Sequence, residues 1–160
     1  MIDYDYIVDS AMRVLIRDIL ISVEKNNGLP NGNFFHISFV TQYDGVSIPI
    51  YLVNRYPEEM TIALQNQFSN LKVTDDAFSV DLSFGGQEER LVIPFCAITS
   101  FVDPSQNFML KMEADKMGMF GKSKFHEMIN CSLKKNTKED GEEVEDNVIN
   151  FSDIRNLLNQ

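Results

Sequence analysis

The apolar residues of this chain change period once, near Gly28, and that change divides the chain into one long helix and a run of strands. Before it, Tyr4, Val8, Ala11, Met12, Leu15, Ile19 and Val23 recur at helical spacing, so the stretch from about Asp3 to Asn26 predicts a single amphipathic helix. Asp3 can cap its start, and Gly28 followed by Pro30 can end it. A second apolar row, Ile7, Val14, Ile16, Leu20 and Ile21, makes the stripe wider than one core face needs. Two uses fit that surplus: a helix sunk deep into its own domain, or one that packs on its domain with one row and on a second copy of itself with the other.

After Asn31 and Gly32 the period is two. Phe35, Ile37 and Phe39 alternate with His36, Ser38 and Thr41, the mark of a strand with one buried face. Asp44 and Gly45 predict a turn, Ile48 to Tyr56 a short helix or irregular crossover around Pro49, and Met60 to Phe68 a strand. Leu71 to Val73 predicts a short strand and Ala77 to Phe84 a longer one. Gly85 and Gly86 then reverse the chain into Arg90 to Pro94 as a hairpin. Ala97 to Val102 and Phe108 to Met112 complete the set, separated by the Asp103, Pro104, Ser105 turn. The expected class is α+β, mainly β: a long N-terminal helix, then a small, strongly bent sheet or partly open β-barrel, then a flexible tail.

Ala114 to Leu133 keeps no clear period, and Gly118 and Gly121 interrupt any helix there. From Lys134 to Asn147 the chain is polar and mostly charged, with Val144 its one apolar side chain, a composition too hydrophilic to bury itself. Apolar residues then return at Val148, Ile149, Phe151, Ile154, Leu157 and Leu158. Two readings stand: a short adhesive segment on a flexible leash, or a terminal helix that packs on its own domain. The expected organisation is a domain over 1–113, with the helix at 3–26 and the β part at 33–113. An acidic, poorly structured linker over 114–147 and a tail over 148–160 follow.

At 160 residues and 44% hydrophobic content, the chain supports one core. Its formal charge of −10 repels phosphate backbones and anionic membrane surfaces, so neither nucleic acid nor membrane is an expected partner. Cys96 and Cys131 form no CxxC pair, which suits a reducing compartment. The acidic start, Asp3 and Asp5, is unlike a signal peptide.

Chemistry is sparse. His36 alternates within a strand and His126 has no ligand at metal-binding spacing. Cys96 follows Pro94 and Phe95 in an apolar run, the setting of a small core residue rather than a nucleophile. No nucleophile elbow, phosphate loop or dinucleotide fingerprint occurs, so neither catalysis nor a metal nor a cofactor is expected. The lysines at 111, 116, 122, 124, 134, 135 and 138 keep one alternative open, a small-barrel RNA-binding protein, with Phe120 and Phe125 as its stacking aromatics. More suggestive is Leu64-Gln65-Asn66-Gln67-Phe68, because amide side chains on a strand can both donate to and accept from the backbone of an extended peptide.

Four blocks together resemble the stringent starvation protein B family: Tyr56-Pro57-Glu58-Glu59-Met60-Thr61-Ile62, Leu64 to Phe68, Phe84-Gly85-Gly86, and Val92-Ile93-Pro94-Phe95-Cys96-Ala97-Ile98. The likeness covers roughly Asp3 to Met112, and the Asp103-Pro104-Ser105 turn favours the alpha-type branch. The resemblance implies a cytoplasmic bacterial adaptor that delivers ssrA-tagged products of ribosome rescue to the ClpXP protease. It implies an Sm-like β domain and homodimerisation through the N-terminal helix, here Val14, Ile16, Leu20 and Ile21. It implies a tag groove at Leu64, Gln65, Asn66, Gln67 and Phe68 with Val80 and Ala97. It also implies a tail motif, Val148, Ile149, Phe151, Ile154 and Arg155, that docks on the N-terminal domain of ClpX. The tail departs from the family pattern at Asn150 and Asn156 and in the extra Leu157 to Gln160.

Overall fold

The computed structural model describes residues 1–120 apart from Asn31, Asn66 and Met119; the expected leash and the tail motif from Val148 to Arg155 lie outside the described residues. Helix α1 spans Tyr4–Lys25, and the Asp3 carboxylate accepts from the Tyr6 amide at 3.0 Å, satisfying one of the donors that a helix start leaves over. At the other end Asn27, not Gly28, takes the left-handed conformation (φ 54°), and the Gly28 amide closes back on Val23 O at 3.1 Å.

The inner face of α1 carries Ile16, Leu20 and Val23 into the core, with Ser10 and Arg13 buried beside them. Of the residues expected at a dimer seam, Ile16 and Leu20 are fully buried within their own domain, and Val14 and Ile21 are half-buried. The face left outward is Tyr4, Ile7, Val8 and Leu15, all exposed.

Strands β1 (Phe35–Val40), β2 (Glu59–Leu64), β6 (Ile98–Asp103) and β7 (Phe108–Lys111) form one antiparallel sheet in the order β2-β1-β6-β7. Strands β3 (Ser69–Val73), β4 (Ala77–Phe84) and β5 (Gln87–Pro94) form a second, in the order β3-β4-β5. The sheets are not closed into a barrel; a single bridge, Ser47 to Val92, ties the segment after β1 to β5. A short helix α2 (Ile50–Arg55) fills the crossover before β2.

Alternation decides which residues meet between the sheets. Phe35, Ile37 and Phe39 of β1, Met60, Ile62 and Leu64 of β2, Phe78, Val80 and Leu82 of β4, and Leu91 and Ile93 of β5 form one buried cluster with α1. Each such side chain contributes on the order of 1.5–3 kcal/mol relative to exposure. The hairpin at Gly85 and Gly86 forms as expected, with φ of 58° and 83°, values that residues bearing a Cβ adopt at a cost.

Two boundaries shift. Strand β2 stops at Leu64 rather than running to Phe68, because the Phe68 amide turns back to Gln65 O at 3.3 Å and the chain crosses to the second sheet. Burial also continues past residue 113, at Asp115 and Phe120.

Candidate functional site

The site is the end of the sandwich where strands of unequal length leave backbone without a neighbour. Strand β2 is an edge of its sheet, paired with β1 alone. In the other sheet, the pairing of β3 with β4 ends at Ser69 opposite Asp81, so Leu82, Ser83 and Phe84 are paired with β5 alone. Between these two edges lies a groove of about 560 Å³, within the usual size of a ligand pocket. Gly32, Asn33 and Phe34 form its wall ahead of β1. Thr61, Ile62 and Ala63 supply the β2 edge, Gln65 and Gln67 the turn beyond it, and Leu82 to Phe84 the far side.

Why these side chains point there follows from period two. On β2, Glu59, Thr61 and Ala63 face outward while Met60, Ile62 and Leu64 face the core. Ser38 on β1 and Thr61 share a hydroxyl hydrogen bond of 2.7 Å, and the ring of Phe34 rests 5.4 Å from that of His36. On the second sheet, Asp81 accepts from Asn70 at 2.7 Å and from Arg90 at 2.8 Å. Those two hydrogen bonds, Asn70 first, hold the Asp81 carboxyl below its ordinary range and keep it ionised. They brace β3 against β4 and β5 beside the groove.

The lining contains no charged side chain. It offers three amides (Asn33, Gln65, Gln67), two hydroxyls (Thr61, Ser83), small residues and two aromatic rings. Such a surface suits an extended backbone: amides satisfy peptide N–H and C=O groups in both directions, and an unpaired strand edge can accept a further strand. Among the described residues no group of three or more His, Cys, Asp or Glu could hold a metal, and no helix is long and apolar enough to cross a membrane.

Of the residues expected here, Gln65 and Gln67 line the groove. Leu64 is fully buried just beneath it and Phe68 packs partly against the core. Val80 and Ala97 are fully buried in the core and contribute no surface to the groove, because β4 turns Val80 inward and Ala97 sits in the tight turn Phe95–Ala97. Asn66 lies outside the described residues.

The family model described as stringent starvation protein B matches residues 6–149. The chain belongs to the SspB family. That match runs from the first turn of α1 through the whole β body and on toward the tail. SspB-family membership supports an adaptor role for the chain. No match was found among curated proteins.

Sequence reasoning missed Asn33, Phe34, Thr61, Ala63, Ser83 and Phe84 as groove residues. For Ser83 and Phe84 the signal lay in strand lengths: β3 has 5 residues and β4 has 8, so part of β4 had to go without a partner on one side.

Proposed function

We propose that this chain is a non-enzymatic adaptor that holds ssrA-tagged polypeptides in the groove between β2 and the end of β4. It tethers them to the ClpXP protease through its C-terminal segment. The observation that supports this most is the uncharged, amide-bearing groove bounded by two unpaired strand edges. A tag entering it in extended form would add main-chain hydrogen bonds to β2 and set its side chains against Ala63, Phe34 and Phe84. Titration of a fluorescent tag peptide into the purified protein tests the proposal; no saturable binding at micromolar concentration would sink it.

Gln67→Ala should weaken the peptide about five- to tenfold, the effect of losing one or two net hydrogen bonds, without unfolding the domain. Gln67 is exposed, so thermal stability should stay constant. An unchanged affinity would remove this side chain from the groove.

Dimerisation through α1 is part of the same proposal, with the seam on the outward face: Tyr4, Ile7, Val8 and Leu15, flanked by Val14. These residues recur at three- and four-residue spacing, so two helices can bury them against each other. Leu15→Asp places a charge in that seam and should give a monomer in sedimentation velocity with its far-UV spectrum unchanged. A dimer that persists would move the interface elsewhere.

A further inference from the structure

Three polar residues of α1 lie along one side of the helix, away from its outward apolar face. Asp9, Arg13 and Arg17 are spaced by four and therefore stack along one side of the helix. All three hold the stretch that follows β7. The Asp9 carboxylate accepts from the Glu113 amide at 3.3 Å, Arg13 donates to the Glu113 carbonyl, and the Arg17 guanidinium lies 5.2 Å above the Phe120 ring.

From its other side the stretch is pinned by the β body. The Asp115 amide donates to Cys96 O at 2.8 Å and its carbonyl accepts from the Tyr43 hydroxyl. The Asp115 carboxylate, almost fully buried, accepts from the amides of Met117, Gly118 and Phe120 at 3.0, 3.2 and 3.3 Å, and from the Cys96 thiol at 3.5 Å. Phe120 completes the closure, edge-on to Phe95 at 6.0 Å. A chain leaving an edge strand has no ladder to follow, yet here Glu113, Asp115, Met117, Gly118 and Phe120 are held against the fold by specific polar contacts.

We propose that residues 113–118 together with Phe120 are a strap, closed by Asp9, Arg13 and Arg17 on one side and by Tyr43 and Cys96 on the other. It fixes the root of the C-terminal segment on α1. Asp115 and Phe120 are its positioning residues. The strap shares no residue with the groove lining, so the root of the segment and the bound peptide occupy separate parts of the domain. The strap stands on these contacts alone; its consequence for delivery rests on the adaptor proposal. On that proposal, each tether starts from the helix that also carries the dimer seam.

Cys96 reports on the closure, because its thiol lies beneath the strap. Burial, and then the neighbouring Asp115 carboxylate, push the thiol above its ordinary pKa and leave it unreactive while the strap is closed. In a Cys131→Ser background Cys96 is the sole thiol. Labelling by N-ethylmaleimide under native conditions is followed by intact mass, with far-UV circular dichroism and tag-peptide affinity measured on the same samples. Asp115→Asn turns an acceptor oxygen into a donor facing backbone N–H groups, and Phe120→Ala removes the plug. Each should raise the labelling rate at least tenfold, with the spectrum unchanged and peptide affinity within twofold of the parent. Should Phe120→Ala unfold the domain, Arg17→Met carries the test at a half-buried helix position, with a rise of threefold or more expected. Labelling rates within twofold of the parent in the folded variants overturn the strap. Accelerated labelling in a protein that binds no tag peptide leaves the strap standing and removes the adaptor proposal instead.

Discussion

Arg13→Ala should lose about 3–5 kcal/mol of folding stability, the scale of breaking a buried, hydrogen-bonded charge site. Arg13 is only 1% exposed although it sits on a helix near the N-terminus. Its Nε donates to Phe95 O at 2.9 Å, and one terminal nitrogen reaches Ile98 O at 3.3 Å and Cys96 O at 3.5 Å as well as Glu113 O. One planar group thus satisfies carbonyls from the turn Phe95–Ala97, the start of β6 and the strap. Truncation removes the guanidinium from all of these oxygens at once, leaving Phe95 O and Cys96 O with the amides of Ile98 and Asp115. Lysine should recover less than half of the loss, since a single ammonium cannot span carbonyls that the guanidinium fork reaches together. Urea unfolding measures both variants. A loss below 1 kcal/mol for Arg13→Ala would mean that the carbonyls find other partners and that the clamp is dispensable.

Deleting Val148 to Gln160 should leave the tag-peptide affinity within twofold and abolish the acceleration of ClpXP degradation of a tagged substrate. On the adaptor proposal, a coil of 14 residues, the length of Lys134 to Asn147, has a root-mean-square reach near 20 Å. A weak contact at the end of such a tether converts a bimolecular encounter into an intramolecular one, at an effective concentration in the millimolar range. The gain therefore vanishes with the contact, however well the groove still binds. Degradation rates at substrate concentrations below saturation show the effect most clearly. A truncated protein that no longer binds the peptide would show instead that the final residues belong to the folded domain.

Much of the fold was legible because its signals are local. The change from helical to alternating period, the Asp3 cap and the Gly85-Gly86 reversal each rest on a few neighbouring residues, and the structure places them as expected. What could not be read was the use made of surplus. Two apolar rows on α1 gave no sign of which faces the core, and the sheet took Ile16 and Leu20 and left Ile7, Val8 and Leu15 outward. Arg13 went unnoticed because arginine is almost never fully buried unless its donors are met, and the acceptors that meet them come from segments 82 to 100 residues away. The site was half legible for the same reason. Gln65 and Gln67 announced themselves as amides on a strand, whereas Ala63 and Phe84 gain meaning only where three chain segments end together.

The outer edge of β2 has a further consequence, which concerns the protein at high concentration. A strand edge able to accept a peptide is equally able to accept the same edge of another copy, the usual route to sheet-to-sheet polymerisation. Two features of the chain oppose that outcome. The edge is only six residues long and begins at the outward-facing Glu59, and any two copies approach each other carrying a formal charge of −10 each. The acidity of the chain therefore acts between copies of the protein, and helps keep the open edge of β2 from pairing with its like.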